Sequence, residues 1–470
     1  MVSFVLNNSI VNADVSPGTA LIDYIRYEKD LPGTKIGCRE GDCGACTVLE
    51  GSLQGDKVVY KSIVSCLTPV GNVHGKHIVT IEGLNMKELS PVQSALVENS
   101  GTQCGFCTPG FVMSLTCNCM KDSEADISNA IDAISGNICR CTGYKSIERA
   151  AESITVLMKD KDVKNPIKWL VDKNYIPAYF TEIPKLLKEI KENKSKIDKN
   201  TVLIGGGTDL VVQKPLEMAE SKISFLYNNE ELKGISKEAG KCIIKASTTA
   251  DMIMKSPIML DIIPEISSFF KLVSSEPVRN MGTIAGNIVN ASPIADLTMF
   301  FLALDAEVVI NSGNSTRVVP LRKFYLGYKK LDLKENEFIE AVSFKIPEKP
   351  FHFNFEKVSK RTYLDIASVN SACYIKDDNG TVVECRLSVG GVSPIPLFLE
   401  KTSAFLEGKN INANIILDAA DLLQEEISPI SDVRGSDKYK RLLARQLFFA
   451  HFIKLFPGKF SGEDLLSKKI

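Results

Sequence analysis

Four cysteines pose the first chemical question. Cys38, Cys43 and Cys46 lie within "GCREGDCGACTV", Gly37 to Val48, and Cys66 follows in "SIVSCLTP", giving C-x4-C-x2-C and then a distant fourth thiol. This is the plant-type ligand spacing of a [2Fe–2S] cluster. A single loop wrapped around a cluster must turn its amide N–H groups inward toward sulfur, and Gly37, Gly41, Gly44 and Ala45 leave the backbone free to do so. C-x2-C alone would equally suit zinc or core thiols. The four-residue gap and the fourth cysteine favour iron and sulfide.

A second quartet follows, with Cys104 and Cys107 in "QCGFCTPG" and Cys139 and Cys141 in "GNICRCTGY". Pro109 and Gly110 mark the first pair as the start of a helix and Gly143 lies just past the second, so the thiols can meet where helix ends converge. Helix N-terminal amides there would favour thiolate charge. C-x2-C with C-x-C leaves structural zinc open by spacing alone. The other five cysteines read as packing. Cys117 and Cys119 are two positions apart on a predicted helix, about 200° around its axis, and cannot share a metal. Cys242, Cys373 and Cys385 fall in apolar strand-like runs, as small buried hydrophobes.

The elements that must hold these thiols change character along the chain. "VSFVLNN" and "SIVNADV" predict two strands, "TALIDYIRYE" a helix, and "TVLEGSLQGDKVVYKSIVSC" and "HIVTIEGL" further strands. "SPVQSALVEN", "PGFVMSLTCNCMKD", "ISNAIDAIS" and "YKSIERAAESITVLMK" have helical periods. "KDKDVKNPIKWLVD" is charged, contains Pro166 and reads as a linker. Beyond it the chain is α/β: a helix "TEIPKLLKEIKEN", a strand "TVLIGGGTDL" running into three glycines, and a strand "CIIKAST".

Glycines 205 to 207 would let amides approach a pyrophosphate. The loop matches neither G-x-G-x-x-G nor a Walker A, and is weak evidence alone. "EPVRNMGTIAGNIVNASPIADL" adds a second run of small residues and donors suited to a phosphate-containing ligand.

With 470 residues the chain exceeds what one core usually serves. Its 56 basic and 57 acidic residues leave a net charge of −1, which gives no reason to expect a nucleic-acid or membrane partner. The opening residues lack a basic n-region and no apolar run has the length of a span, so neither signal peptide nor transmembrane helix is expected. Cysteines bunched in quartets favour metal ligation over disulfides and a cytoplasmic location.

"GCREGDCGACTV", "TIEGL", "QCGFCTPGFVMS" and "GNICRCTGY" resemble the iron–sulfur region of the molybdenum hydroxylases, the family of xanthine dehydrogenase and aldehyde oxidoreductase. The resemblance settles the second quartet as a [2Fe–2S] site and implies a multidomain α+β architecture. Its parts are a β-grasp ferredoxin-like domain over 1–85, a four-helix [2Fe–2S] bundle over 86–158, a linker over 159–172, an α/β FAD-binding domain of the PCMH/VAO type over 173–349, and an α+β C-terminal domain like that of CO-dehydrogenase flavoproteins over 350–470.

Carried over by position, the resemblance implies FAD binding by Leu203, Ile204, Gly205, Gly206, Gly207, Thr208, Asp209 and Leu210, and by Thr283, Ile284, Ala285, Gly286 and Asn287, with Asp296, Ile339 and Lys357. Lys357 would face the flavin ring, and Tyr328 the pyridine nucleotide. Ala285 and Gly286 stand where a glycine pair is commoner, and Thr362, Tyr363 and Leu364 where charged residues are common.

The inventory implies two clusters and FAD passing electrons to NAD, as in the small subunit of a xanthine dehydrogenase converting hypoxanthine to xanthine to urate. No sequence remains after the flavin domains for a molybdopterin-binding half. A separate molybdopterin-carrying large subunit is therefore expected, in a doubled hetero-oligomer, with the Gln103 and Cys141 face toward it and no hydroxylation residues in this chain. The alternative is an electron-delivery subunit of an aldehyde, nicotinate or carbon monoxide hydroxylase with another acceptor.

Overall fold

Alternating burial along the opening strands builds the first sheet. β1 (Val2–Leu6) and β2 (Ser9–Ala13) form a hairpin about Asn7, whose φ of 53° is one an asparagine adopts at modest cost. β3 (Thr47–Gln54) and β4 (Lys57–Val64) form a longer one, and β5 (His77–Val79) runs parallel to β1 and antiparallel to β3, giving the order β2-β1-β5-β3-β4. α1 (Leu21–Asp23), prolonged by a π-type turn over Tyr24–Glu28, packs Leu21, Ile22 and Ile25 with Phe4, Val48 and Ile63. A mixed sheet grasping one helix leaves the long loop from Lys29 to Cys46 outside it, free to carry thiols.

Four helices follow: α2 (Pro91–Glu98), α3 (Thr108–Met120), α4 (Ile127–Ile134) and α5 (Lys145–Leu157). Ser90 and Gln93 close a reciprocal capping box at α2, with Pro91 at the first helical position, and the Asp126 carboxylate caps α4. Val92, Leu96, Phe111, Leu115, Ile147 and Ile154 fill the bundle core. The stretch read as a linker is in part a helix, Pro166–Asp172, whose Leu170 is fully buried in that core.

The computed structural model describes residues 1–191, 197, 198, 200–313 and 315–466. They divide into two units, Met1–Asn229 with Ser274–Gly282, and Glu230–Val273 with Thr283–Ile470. The first therefore also holds the parallel pair β6 (Val202–Ile204) and β7 (Ile223–Phe225). A short helix, Glu276–Arg279, lies in its returning segment, and Asn280 Nδ2 donates to the Ser62 carbonyl at 2.9 Å. The helix expected in "TEIPKLLKEIKEN" spans Ile183–Glu189, and the last two residues of that expectation, Glu192 and Asn193, lie outside the described residues.

In the second unit β8 (Ile235–Glu238), β9 (Lys241–Lys245), β10 (Glu307–Asn311) and β11 (Thr316–Pro320) precede a small hairpin of β12 (Tyr325–Gly327) and β13 (Lys330–Leu331). β14 (Phe338–Lys345) completes an antiparallel sheet ordered β11-β10-β14-β9-β8. β15 (His352–Val358), β16 (Val369–Asp378), β17 (Thr381–Gly390) and β18 (Leu397–Phe398) form a meander. The helix Asp437–Leu455 packs on that meander. The helix Asp296–Ala303 is buried on every side from Leu297 onward, as its uniformly apolar sequence requires.

Candidate functional site: two thiol quartets and the flavin-loop residues

The first quartet is assembled as two pairs of sulfurs. Cys46 and Cys66, both buried, have Sγ atoms 3.3 Å apart, and Cys38 and Cys43 form the other pair, each shifting the other's acidity. The loop closes tightly around them: a Cβ at Gly37 would lie 2.7 Å from Cys43 Sγ, and Gly41 and Gly44 have φ of 80° and 65°. The Glu40 amide points at Cys38 Sγ from 3.4 Å. The neighbouring Cys43 thiol lowers the Cys38 pKa to about 5, while Cys38 pushes Cys43 up. Both must be thiolates to bind metal, so loading this site releases protons.

The second quartet repeats the arrangement at the end of the bundle. Cys104 and Cys141 have Sγ atoms 3.6 Å apart, and Cys107, the N-cap of α3, is close enough to Cys139 for the two to shift each other's acidity. Burial, helped by the Cys139 contact, pushes the Cys107 thiol up to about 12. Thr142 Oγ1 lies 3.1 Å from Cys139 Sγ, and Tyr144, at φ 70°, accepts the Cys139 amide on its hydroxyl. Cys104 and Cys141 are exposed, beside Phe106 and Tyr144, which are 47% and 39% exposed, and Gln103 Nε2 donates to the Cys141 carbonyl.

A [2Fe–2S] cluster takes its thiolates two to an iron, and two pairs per loop suit that chemistry. Cys117 and Cys119, as expected, are buried in the bundle.

The flavin-loop residues fall in both units. In the first, Gly205 to Gly207 follow β6, and the Gly205 and Gly206 carbonyls accept from Asn72 Nδ2 at 2.9 and 3.3 Å. Gly206 and Gly207 are required by close approach: a Cβ would meet the Met281 carbonyl at 2.0 Å in one case and the Leu67 carbonyl at 2.9 Å in the other. Leu67 adjoins the ligand Cys66, so this loop lies directly on the cluster segment. The Asn72 Oδ1 atom is buried and has no hydrogen-bond partner among the described residues, leaving an acceptor beside the loop.

In the second unit, the run from Thr283 to Asn287 behaves differently from a free amide cradle. The amides of Ile284, Ala285, Gly286 and Asn287 donate to Thr248, Ala246, the Thr283 hydroxyl and the Thr283 carbonyl. The loop is braced by its own hydrogen bonds, and Asn287 Oδ1 accepts from Thr298. Asp296 is held by Lys357 at 2.7 Å and by Asn370 at 2.5 Å, and Lys357 also donates to the Leu272 carbonyl. The Lys357 side chain is only 1% exposed, so its charge is matched by Asp296 rather than by water. Ile339 lies in the core on β14. Tyr328 is 64% exposed at the tip of the β12–β13 hairpin.

Lys357→Met is therefore expected to destabilise the second unit by about 3 kcal/mol, because it strands the Asp296 carboxylate. Urea unfolding of the variant beside the double variant with Asp296→Asn checks this; the double variant should recover most of the loss.

The sequence signal was strong for the first thiol quartet and weak for the glycine loop taken alone. For Asn72, Leu67 and Met281 there was none, because their roles arise only from contacts far apart in the chain.

Fold and thiols together define an iron–sulfur and flavin oxidoreductase module. Four family models match it in order: a 2Fe-2S iron-sulfur cluster binding domain over 4–71, a [2Fe-2S] binding domain over 80–152, the FAD binding domain in molybdopterin dehydrogenase over 174–348, and the CO dehydrogenase flavoprotein C-terminal domain over 355–455. The chain is homologous to the N-terminal iron–sulfur and FAD region of xanthine dehydrogenases and to the small and medium subunits of carbon monoxide dehydrogenase. It is 29% identical to the xanthine dehydrogenase of Oryza sativa subsp. japonica over 93% of this chain and 38% of the relative, and 27% identical to the xanthine dehydrogenase/oxidase of Rattus norvegicus over 100% and 40%.

The chain thus spans about two fifths of the length of these relatives. Among solved structures it is similar to the carbon monoxide dehydrogenase of Hydrogenophaga pseudoflava, with 28% identity, a TM-score of 0.52, and 55% of this chain and 90% of that one covered. It is also similar to quinoline 2-oxidoreductase of Pseudomonas putida 86, with 26% identity, a TM-score of 0.51, and 56% and 92% covered. Among the described residues no helix is long and apolar enough to cross a membrane.

Proposed function

We propose that the chain is the electron-transfer part of a cytoplasmic, NAD-linked xanthine dehydrogenase. Electrons enter from a molybdopterin-carrying large subunit, where a purine is hydroxylated, and leave at FAD for NAD. The observation that carries this reading is the pair of thiol quartets in adjoining loops, where the Ile138 amide, next to Cys139, donates to the Cys43 carbonyl at 3.0 Å. The clusters carry single electrons and a bound FAD collects them for two-electron release, which hydride transfer requires.

The residues of this chain divide that work. Cys104, Cys107, Cys139 and Cys141 hold the cluster nearer the partner, whose contact face includes Gln103 and Cys141. Cys38, Cys43, Cys46 and Cys66 hold the other. Leu203 to Leu210, Thr283 to Asn287, Asp296, Ile339 and Lys357 bind FAD, and Tyr328 meets the pyridine nucleotide. The assembly is a doubled hetero-oligomer.

Oxidation of NADH by the purified chain with an artificial acceptor tests the reading. Turnover together with about four irons per chain supports it. A second reading, delivery for another molybdenum hydroxylase with a non-NAD acceptor, is favoured by the likeness to carbon monoxide and quinoline enzymes. FAD-replete protein inert toward NADH would select it.

A further inference from the structure

We propose that Asn137 is a positioning residue that fixes the contact through which the two thiol loops exchange electrons. The proposal rests on the reading that both quartets hold clusters. Asn137 lies two residues before Cys139 and is 4% exposed. Its Nδ2 donates to the Gly44 carbonyl at 3.1 Å, between Cys43 and Cys46, while its Oδ1 accepts from Ser114 Oγ at 2.8 Å on α3. One amide side chain thus ties the loop of the first quartet to α3, the helix whose N-cap is Cys107. With both ends engaged it cannot rotate without leaving a buried polar group unpaired.

The surroundings are shaped for this approach. A Cβ on Gly44 would lie 2.5 Å from Asn137 Nδ2, and one on Gly110 would lie 2.3 Å from the Gly44 carbonyl oxygen. The same carbonyl also accepts from the Thr47 amide at 3.1 Å and the Thr47 hydroxyl at 2.7 Å, so its direction is fixed from two sides. The next residue, Ile138, donates its amide to the Cys43 carbonyl at 3.0 Å. Between a ligand of one quartet and a ligand of the other there is then a route of covalent bonds broken by a single hydrogen bond. Electron transfer slows steeply when bonds are replaced by open space, so whatever holds Ile138 against Cys43 sets the rate along this route. Asn137 is the adjacent residue with an independent grip on both loops.

The test uses the holoprotein with Asn137→Ala and, separately, Ser114→Ala, which removes only the bond orienting the amide. Hydrogen exchange is read by mass spectrometry on a peptide containing Ile138, and the magnetic interaction of the two reduced clusters by electron paramagnetic resonance. Iron content and the midpoint potential of each cluster are measured alongside. With iron at the wild-type level, exchange at Ile138 should quicken about tenfold, the equivalent of one lost hydrogen bond. Electron equilibration between the clusters should slow severalfold.

Should Asn137→Ala lose iron, Ser114→Ala carries the same readouts. Wild-type exchange and equilibration in an iron-replete variant would overturn the proposal alone. A wild-type holoprotein without iron would overturn the cluster reading and the proposal together.

Discussion

Replacing Cys46 with serine is expected to remove one whole cluster and cut the iron from about four to about two atoms per chain, because each [2Fe–2S] unit depends on its full thiolate set. Cys46 is the strongest choice for this experiment. Its side chain is 2% exposed and its sulfur lies 3.3 Å from that of Cys66, so no water can step in for the missing ligand. A serine hydroxyl would have to ionise in the same buried place, far below its ordinary range, to replace it.

Flavin should remain, since the residues assigned to it are held by other contacts: Gly205 and Gly206 by Asn72, and Asp296 by Lys357 and Asn370. On the proposed reading, NADH oxidation with an acceptor that draws directly on the flavin should therefore survive, while delivery from the molybdenum side is lost. Elemental analysis and low-temperature spin resonance read the first outcome, steady-state kinetics the second. Loss of both clusters and flavin together would show that the quartets and the flavin loops are one cooperative site.

The thiols were legible because metal ligation restricts residue type and spacing together, and each quartet has a close sulfur pair, Cys46 with Cys66 and Cys104 with Cys141. The flavin loops were legible only as sequence. Three glycines in a row announce a close approach, but what approaches Gly206 and Gly207 is the Met281 carbonyl and the Leu67–Pro69 segment, from other parts of the chain. Likewise the small residues of Thr283 to Asn287 suggested free amides, whereas Ala246 and Thr248 take two of them. The charged stretch 159–172 looked like a tether, yet Leu170 has a hydrophobic core to enter, and burial outweighs composition there. The residues 173–349 contribute to both units: those up to Asn229 lie in the first, and Ser274–Gly282 returns to it beside β4, a long-range pairing without a local signature. Asn137 was read only as part of a cysteine motif, since its two partners lie 93 and 23 positions away.

Lys61→Met should be among the most destabilising single changes in the first unit. Glu50, on β3, has a side chain only 1% exposed, and among the described residues neither of its oxygens has a hydrogen-bond partner. Its compensating charge is Lys61 Nζ at 3.3 Å, which also donates to the Tyr227 hydroxyl and to the Asn280 carbonyl. One ammonium therefore neutralises a buried carboxylate and ties two distant segments to the β3–β4 hairpin.

Breaking such a pair by removing one partner leaves an uncompensated buried charge. The expected cost is about 3 kcal/mol, at the low end for buried pairs, because the lysine side chain is 31% exposed and water can partly replace it. Burial opposes the lysine charge, but Glu50 and Tyr227 outweigh it and hold the pKa above the ordinary value. The stabilisation is therefore fully present below a pH of about 10.4 and fades only as pH rises beyond it, so measurement near neutrality captures all of it.

Urea unfolding followed by the chain's single tryptophan, Trp169, reports on this unit, against whose bundle core it packs half-buried. The double variant with Glu50→Gln should recover most of the loss, since the buried charge is then gone from both sides. If Lys61→Met alone unfolds like the wild type, the pair is no anchor. A double variant no more stable than Lys61→Met would place the lysine's contribution in its bonds to Tyr227 and Asn280 instead.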